Sequence, residues 1–354
     1  MGGADPMKVG LTFNEKKEED PGGPFPTDEF LEWDDAETIQ AIADALRRRH
    51  EVVLVEAGPF CAERLKEERP DIVFNIAEGR SGPFREAEIP ALLEDLGLPY
   101  TGSGPDTLSI ALDKGRTNRL LKQNGIPTPD FIVCDSPQIT LNGLRFPLVV
   151  KPLWEGSSKG IPDSAVVEGR QALDEAVRRV LSRYRQPAIV ENFLDGREFT
   201  IALLGNGDDL RILPIVEIDF SALPKAAHPI YSYEAKWVWD TPKSPLKLFV
   251  CPAKVSEELR LRLEAIARQT FQAVGCLDWC RIDLRLDGGG EPRVLEINPL
   301  PGILPHPEQN SCFPKAARAA GLSYEDLIEE VLRIACKRYG LRDARADRHS
   351  VRQF

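Results

Sequence analysis

Three consecutive glycines at Gly288–Gly290 separate two strand-like segments, and this pattern predicts a β-hairpin over residues 281–302. Side chains alternate between the two faces of a strand, so Asp283 lies on the polar face of the first segment. Residues 283 and 296 are symmetrical about the glycine turn, and folding places Asp283 opposite Glu296, with cross-strand neighbours roughly 5 Å apart. The hairpin therefore brings two carboxylates together.

The second strand of this hairpin interrupts an apolar pattern with polar side chains. Leu295 and Ile297 are the residues that the strand should bury, and Glu296 and Asn298 alternate with them. With Asp283, these residues would place two carboxylates and an amide on one face, and hard oxygen ligands of this kind suit Mg²⁺. A hairpin whose polar face is simply hydrated explains the same pattern.

Composition limits the classes of function. A chain of 354 residues is too long for one ordinary hydrophobic core. The formal net charge of −11 argues against broad binding to nucleic acid or to anionic membranes, and it favours a small-molecule partner. The sequence contains no apolar run of the ~20 residues that cross a bilayer and no signal-peptide pattern, and its seven scattered cysteines suit a reducing compartment. A cytoplasmic location is expected.

The order of strand and helix patterns divides the chain. Short β-branched runs alternate with helical patterns in the first part of the chain, which predicts repeated strand-helix-strand units with a parallel sheet. From about residue 125 onward, several strands follow with one long helix between them, as is typical of α+β structure. We expect a solvated basic tail at 341–354.

A lysine-and-glycine segment, "KPLWEGSSKGI", follows one of the predicted strands. Lys151 stands at the strand end, and the loop after it carries small residues at Ser157, Ser158 and Gly160. Small residues leave backbone N–H groups accessible, so the loop could cradle phosphates. The segment is neither a Walker A sequence nor a dinucleotide fingerprint, and a flexible surface loop would look the same.

A second segment, "VENFLDGREFT", places an apolar pair between two acidic residues. Phe193 and Leu194 lie between Glu191, at the end of one strand, and Glu198, at the start of the next. An apolar strip flanked by carboxylates could hold a purine and a ribose. Taken alone, it could equally be a turn between strands.

Taken together, these segments resemble the ATP-grasp superfamily and, within it, the D-alanine–D-alanine ligases. The resemblance extends from about Val9 to Arg333 and is carried by "GLPYTGSG", "LDKGRTNRLL", "VVKPLWEGSSKGI", "VENFLDGREFT", "YEAKW", "WCRIDLRL" and "LEINPLPG". It implies an ATP-grasp fold, in which a doubly wound preATP-grasp domain at 7–104 precedes a central α+β domain at 105–195 and a C-terminal α+β domain at 196–340, with ATP held between two antiparallel sheets. It also implies a carboxylate–amine ligase that uses ATP and two Mg²⁺ ions, with Mn²⁺ as a substitute, and that assembles as a homodimer.

The resemblance assigns roles to individual residues. Those implied to contact the nucleotide are Lys114, Lys151, Ser157, Ser158, Gly160, Glu191, Asn192, Phe193, Leu194, Glu198 and Lys236. Those implied to hold the metal ions are Asp283, Glu296 and Asn298. Those implied to act in catalysis are Arg281, Gly302, Ser157 and Lys236. The alternative is a solvated surface cation for each lysine and a strand-face salt bridge for Arg281.

The sequence departs from the family where the first amino acid should bind. The family's Ser-x-Glu turn, which grips the first substrate's ammonium, is absent, and an acidic segment at 14–30 takes its place. Glu32, Asp34 or Asp35 could substitute for it. The nucleotide half of the pattern is therefore intact while the amino-acid half is altered.

Two further departures concern the lid and the second substrate. The segment 220–245 is the candidate lid, and Trp237 follows its lysine where the family has a tyrosine, so no phenol reaches Ser157. Pro307 stands where the family has a serine that binds the second substrate's carboxylate, and Glu308 beside it would repel a carboxylate. Both changes predict altered substrates.

Three functions stay open at this point. The chain is a D-alanine–D-alanine ligase, a related ligase that joins other amino acids or a specialised metabolite, or an ATP-grasp kinase or non-catalytic ATP-binding module. The complete set of Asp283, Glu296, Asn298 and Arg281 disfavours a binding module, because binding alone needs no oxyanion donor.

Overall fold

The computed structural model describes residues 6–16, 28, 30–240 and 246–341. The predicted insertion at 14–30, the end of the lid and nearly all of the basic tail therefore lie wholly or partly outside the described residues. Among the residues that are described, no helix is both long and apolar enough to cross a bilayer.

The N-terminal part is a three-stranded parallel sheet flanked by helices, which confirms the predicted α/β class. Its elements are β1 (Lys8–Phe13), α1 (Ala36–Arg47), β2 (Glu51–Glu56), α2 (Cys61–Glu68), β3 (Ile72–Asn75) and α3 (Glu88–Asp95). The strand order is β2-β1-β3. Helix α1 begins where the Asp35 carboxylate accepts a hydrogen bond from the Thr38 N–H, and its apolar face, with Ile39 and Ile42, is buried against the sheet.

The central part is a four-stranded antiparallel sheet that supplies one wall of the site. Its elements are α4 (Pro105–Leu112), α5 (Lys114–Gln123), β4 (Phe131–Cys134), β5 (Leu148–Pro152), β6 (Val166–Val167), α6 (Arg170–Arg183) and β7 (Ala188–Asn192). The strand order is β4-β7-β5-β6. Helix α6 packs against this sheet through Leu173, Val177 and Val180, each fully buried.

The C-terminal part is a second antiparallel sheet. Its elements are β8 (Glu198–Leu204), β9 (Arg211–Ile212), β10 (Val216–Ile218), β11 (Phe249–Val250), α7 (Glu257–Val274), β12 (Trp279–Leu286), β13 (Pro292–Asn298), α8 (Cys312–Ala319) and α9 (Tyr324–Tyr339). The strand order is β11-β10-β8-β12-β13, with β9 paired to β8. One parallel sheet followed by two antiparallel sheets confirms the predicted change from α/β to α+β structure along the chain.

A shared aromatic core ties the first and last parts together. Trp279 is fully buried, and its ring meets the edges of Phe74 and Phe313 with centroid distances of 5.8 and 5.7 Å. Phe74 comes from β3 and Phe313 from α8, so the N-terminal sheet and the C-terminal sheet cannot pack independently of each other. The proposed boundaries at 104 and 195 stay a prediction.

The hairpin of β12 and β13 confirms one expectation and corrects another. Asp283 pairs with Glu296, as the symmetry about the glycines predicted. Leu284, however, pairs with Val294, so Leu295 is the extra residue of a β-bulge. The expectation that Leu295 is buried with Ile297 was wrong: Ile297 is 3% exposed, whereas Leu295 is only partly buried, because the bulge interrupts the alternation of faces at this residue.

Candidate active site

A cavity of about 420 Å³ lies between the two antiparallel sheets and reaches the N-terminal sheet. This volume is in the range of small-molecule binding sites. The cavity is lined by nearly all of the predicted site residues: Lys114, Lys151, Ser157, Ser158, Glu191, Asn192, Phe193, Leu194, Glu198, Lys236, Arg281, Asp283, Glu296, Asn298 and Gly302. Gly160 is the exception, since it lies behind the loop that the serines form.

Lys151 and Glu191 face each other across strands β5 and β7. The Lys151 Nζ atom donates to Glu191 Oε2 at 2.7 Å, and Asn118 Nδ2 donates to Glu191 Oε1 at 2.9 Å. Burial alone would lower the pKa of Lys151, but Glu191, with Glu296 and Glu198, raises it above the ordinary value. Lys151 is thus held as a cation in a fixed position, which suits contact with a phosphate. Both carboxylate oxygens of Glu191 accept a hydrogen bond within the protein, which fixes the position of this side chain.

Glu198 is held by an arginine to which sequence reasoning gave no role. Arg285 Nη1 donates to Glu198 Oε2 at 3.1 Å, and the guanidinium also lies 5.1 Å from the ring centroid of Phe193. Burial raises the pKa of the Glu198 carboxyl, and Arg285 opposes this shift. Arg285 lies on the same strand face as Asp283, two residues away, and that alternation could have identified it.

The loop after β5 is built for close backbone approach. Ser157, Ser158 and Gly160 all have left-handed backbone conformations, with φ values of 52°, 61° and 73°. A Cβ atom on Gly160 would lie 2.4 Å from Cγ of Pro152, so only glycine fits there. Gly160 therefore shapes the loop from behind rather than lining the cavity.

The lid segment is closed onto this loop. The Ser158 hydroxyl donates to the Tyr231 carbonyl at 2.6 Å, and the Trp237 indole N–H donates to the Ser157 carbonyl at 3.2 Å. The sequence comparison correctly excluded a phenol at position 237, but a hydrogen bond to Ser157 exists nonetheless. It uses the indole N–H and the backbone instead of side-chain oxygens.

Lys236 lies on the π-helical turn Ala235–Trp239 of the lid and points into the cavity. Burial, together with the neighbouring Arg281, lowers the pKa of Lys236 from its ordinary value to about 8. A lysine with this pKa is mostly protonated at neutral pH, but it loses its proton more readily than an exposed lysine does. An anionic phosphate beside Lys236 would stabilise its protonated form.

The residues predicted to bind metal lie side by side. Arg281 donates to both oxygens of Asp283, at 3.1 and 2.9 Å, and Asn298 Nδ2 lies 3.4 Å from Asp283 Oδ2. Lys114 Nζ lies 2.9 Å from Glu296 Oε1. Burial alone would raise the pKa of the Glu296 carboxyl, but Lys114, Arg281 and Lys151 together lower it, so Glu296 is held as an anion.

This donor set fits a hard divalent cation. It consists of two carboxylates and one amide oxygen, which is the ligand chemistry of Mg²⁺. Among the described residues, no group of three or more His, Cys, Asp or Glu side chains is placed to hold a metal ion.

Ser311 supplies a hydroxyl that the sequence comparison missed. The Ser311 Oγ atom donates to the Gly302 carbonyl at 3.1 Å, and Ser311 lines the cavity with Asn310 and Cys312. The comparison of sequences placed Pro307 at the family's serine, whereas the hydroxyl beside Gly302 in the structure is that of Ser311. A serine directly before helix α8 is a typical helix-start signal and could have identified it.

The three candidates for gripping an ammonium have different surroundings. Glu32 accepts hydrogen bonds from Arg85 Nη2 at 2.8 and 2.7 Å and from the Gly156 N–H at 2.7 Å, and Asp35 caps α1. Asp34 lines the cavity, and burial, aided by Asp35, raises its pKa to about 7.

Glu78 and Glu86 lie in the same part of the cavity and were missed by sequence reasoning. Burial raises the pKa of Glu86 to about 7 and that of Glu78 well above its ordinary value. Glu78 follows the carboxyl end of β3, where ligands bind in α/β sheets, and that position could have identified it.

Comparison with known proteins agrees with this geometry. The sequence matches the family described as D-ala D-ala ligase C-terminus over residues 120–333. The uncharacterized protein y4sG of Sinorhizobium fredii is 37% identical over 316 residues, which cover 87% of this chain and 90% of that protein. The D-alanine–D-alanine ligase of Carboxydothermus hydrogenoformans is 36% identical over 297 residues, which cover 81% of this chain and 88% of that protein.

The fold agrees as well. The crystal structure of the D-alanine–D-alanine ligase from Bacillus anthracis complexed with ATP aligns with a TM-score of 0.69 and 24% identity, covering 95% of this chain and 100% of that one. At this identity the likeness establishes the fold. The family match over more than half of the sequence and the relatives above 30% identity establish that this chain belongs to the D-alanine–D-alanine ligase family of ATP-dependent ATP-grasp ligases.

Proposed function

We propose that this chain joins an amino-acid carboxylate to the amine of a second amino acid, giving a dipeptide, ADP and inorganic phosphate. The observation that carries this proposal is the convergence of Lys114, Lys151, Lys236 and Arg281 on one cavity that also holds Asp283 and Glu296. Four cations exceed what a neutral ligand needs, and they suit a triphosphate together with a second anionic reactant.

The chemistry follows from the poor reactivity of a carboxylate. Its oxygen attacks the γ-phosphorus of ATP, the bond from that phosphorus to ADP breaks, and an acyl phosphate forms. The amine nitrogen then attacks the acyl carbon, the amine loses a proton, and inorganic phosphate leaves. Tyr231 and Trp237 of the lid cover the cavity, which keeps water from the acyl phosphate.

Each of these four cationic side chains would stabilise negative charge at one step of the reaction. Lys114 and Lys151 are held in place by Glu296 and Glu191, so they can orient phosphates without reorganisation. Lys236, on the lid, would reach the transferring phosphoryl group. Arg281, beside Gly302, would stabilise the oxyanion that forms when the amine attacks.

Asp283, Glu296 and Asn298 would hold Mg²⁺, or Mn²⁺ in its place. Bound there, the metal would neutralise charge on the phosphate oxygens. Two ions are expected from the resemblance. Chelation by EDTA followed by titration with Mg²⁺, read as nucleotide binding by calorimetry, tests this assignment separately from turnover.

The decisive experiment measures phosphate release from ATP with D- and L-amino acids, offered singly and in pairs, followed by mass detection of the product. Release that depends on amino acids, with a peptide as product, supports the ligase. Release without amino acids would favour a kinase or hydrolase, and nucleotide binding without release would favour a binding module. Dependence on D-alanine alone would identify a D-alanine–D-alanine ligase.

The oligomeric state and the location in the cell belong to the same proposal. We propose that the enzyme forms a homodimer, as the resemblance implies, and light scattering after size-exclusion chromatography tests this. We also propose a cytoplasmic location, where ATP and free amino acids are available, and fractionation of the source cell tests it.

A further inference from the structure

Three carboxylates crowd one end of the cavity. Asp34, Glu78 and Glu86, here called the carboxylate cluster, all line it. Within the described part of the chain, no lysine or arginine comes within hydrogen-bonding distance of any of them. The nearest approach is 3.9 Å, from Arg85 to Glu86, and that guanidinium is committed to Glu32 at 2.7 Å.

The topology of the N-terminal sheet gathers these residues. Glu78 follows the carboxyl end of β3, and Asp34 is paired through a β-bridge to Glu15, just past the carboxyl end of β1. Glu86 lies in the 3₁₀ turn Arg85–Ala87. Strands β1 and β3 are adjacent and parallel, so their carboxyl ends share one edge, and that edge opens toward the antiparallel sheets.

The cluster is electrostatically unbalanced. Elsewhere in the cavity the carboxylates have basic partners, such as Lys151 for Glu191 and Arg285 for Glu198. In the cluster, by contrast, burial raises the pKa of each carboxyl group, and Glu86 further raises that of Glu78. Arg85 lowers the pKa of Glu78 and of Glu86, but its guanidinium is also bonded to Glu32, so these partly buried carboxylates outnumber the positive charge beside them and favour binding of a cation from outside.

One α-ammonium group is a poor match for three such carboxylates. It carries a single positive charge, whereas the cluster can present up to three negative charges. The cluster also adjoins an apolar wall of Leu31, Trp33 and Ile76, in which the Trp33 indole N–H is fixed to the Gly79 carbonyl at 2.8 Å. Such a wall suits a short run of methylene groups.

We propose that the first substrate, whose carboxylate is phosphorylated, is an amino acid with a second basic group on its side chain, and that Asp34, Glu78 and Glu86 bind its two cationic groups. This inference rests on the proposed function and deepens it. The chemical class is a diamino or guanidino carboxylic acid, whose aliphatic stem lies along Leu31, Trp33 and Ile76. The α-carboxylate then extends toward Arg281 and Lys236.

Hydroxylamine trapping tests the first substrate without knowledge of the second. The enzyme, ATP and Mg²⁺ are incubated with one amino acid and hydroxylamine. The carboxylate takes the γ-phosphoryl group, ADP leaves, and hydroxylamine nitrogen displaces phosphate and loses a proton to give a hydroxamate, which is measured as its coloured complex with added ferric ion. Matched pairs isolate the second charge: lysine against norleucine, ornithine against norvaline and arginine against citrulline, each in both enantiomers.

We expect the basic member of at least one pair to have a kcat/KM at least about tenfold above that of its neutral partner, since hydrogen bonds between charged groups discriminate by this much or more. Glu78→Gln should narrow that ratio by about tenfold. Glu67→Gln, an exposed carboxylate of α2 in the same domain, is the control and should leave the ratio unchanged.

The possible outcomes distinguish failure of this inference about the substrate from failure of the proposed ligase function. Neutral amino acids that react as well as or better than their basic partners, or a ratio that Glu78→Gln does not change, would overturn the substrate class while leaving the ligase intact. If no amino acid gives hydroxamate, and none stimulates phosphate release, the proposed function itself fails.

Discussion

The indole N–H of Trp237 donates a hydrogen bond to the backbone carbonyl of Ser157 at 3.2 Å. This contact joins the lid to the loop that shapes the phosphate end of the cavity. Ser157 has a left-handed backbone, so its carbonyl direction is set by the loop and not by its side chain. The hydrogen bond between the lid and the loop therefore depends on the backbone conformation of the loop.

Trp237→Phe should weaken this coupling. The variant keeps an aromatic ring but loses one hydrogen bond, which contributes about 1 kcal/mol, so kcat/KM for ATP should fall about fivefold. Steady-state kinetics at varied ATP measure this. Trp239→Phe is the control because Trp239 packs within the lid around Leu248. Equal losses in both variants would mean that ring size, not the hydrogen bond, matters at Trp237.

Glu296→Gln should abolish turnover while the fold is retained. The substitution removes the anion that pairs with Lys114 and the proposed metal ligand, and we expect kcat to fall at least about a hundredfold. Phosphate release and circular dichroism measure activity and fold. Glu291→Gln, at the exposed turn of the same hairpin, should remain active. A fully active Glu296→Gln enzyme would remove the metal assignment.

Turnover should depend on the charge of Lys236. The pKa of this amine is lowered to about 8, so the group is protonated below that pH and neutral above it. Because only the protonated form attracts phosphate, kcat/KM for ATP should decline as pH rises through about 8. Lys236→Arg, whose guanidinium stays charged, should carry activity to higher pH. A profile that is the same in both enzymes would exclude Lys236 as the titrating group.

A buried ion pair far from the chemistry should matter for stability. Asp278 is fully buried and accepts hydrogen bonds from Arg338 Nη2, the Gly102 N–H and Asn206 Nδ2, each at 2.8 Å. Arg338→Met leaves this carboxylate without its cation, and the free energy of unfolding should fall by ~3 kcal/mol or more.

The neighbouring residue provides the control for that measurement. Lys337 pairs with Asp209, but both side chains are about two-thirds exposed. Lys337→Met should therefore change the free energy of unfolding by less than ~1 kcal/mol. Urea denaturation of the two variants compares them directly. Similar values for both would contradict the role assigned to the Asp278–Arg338 pair.

Local patterns in the sequence were sufficient to predict several features of the structure. The glycine turn and the alternation of side chains predicted the pairing of Asp283 with Glu296, because register in a hairpin depends on the turn and on a period of two. The apolar stripe of α1 and the parallel strands around it were predicted in the same way. The β-bulge at Leu295 was not, since an extra residue leaves no mark in a period-two pattern over so few residues.

The partners of the charged residues were decided only by tertiary structure. Glu32 and Asp34 are close neighbours in the sequence and both line the cavity, yet Glu32 is bonded to Arg85, whereas no described lysine or arginine lies within hydrogen-bonding distance of Asp34. Likewise Ser311, four positions beyond Pro307 and directly before α8, supplies the hydroxyl at Gly302.

By itself, the sequence determined the order of strands and helices, the face on which the hairpin carboxylates lie and the membership in an ATP-grasp family. These features depend on local periodicity and on short motifs that are visible in the sequence without knowledge of tertiary contacts. Only the tertiary structure decided which carboxylates are paired with cations and which crowd the substrate end of the cavity. Pairing depends on distances between residues far apart in the chain, and burial and charge act through space.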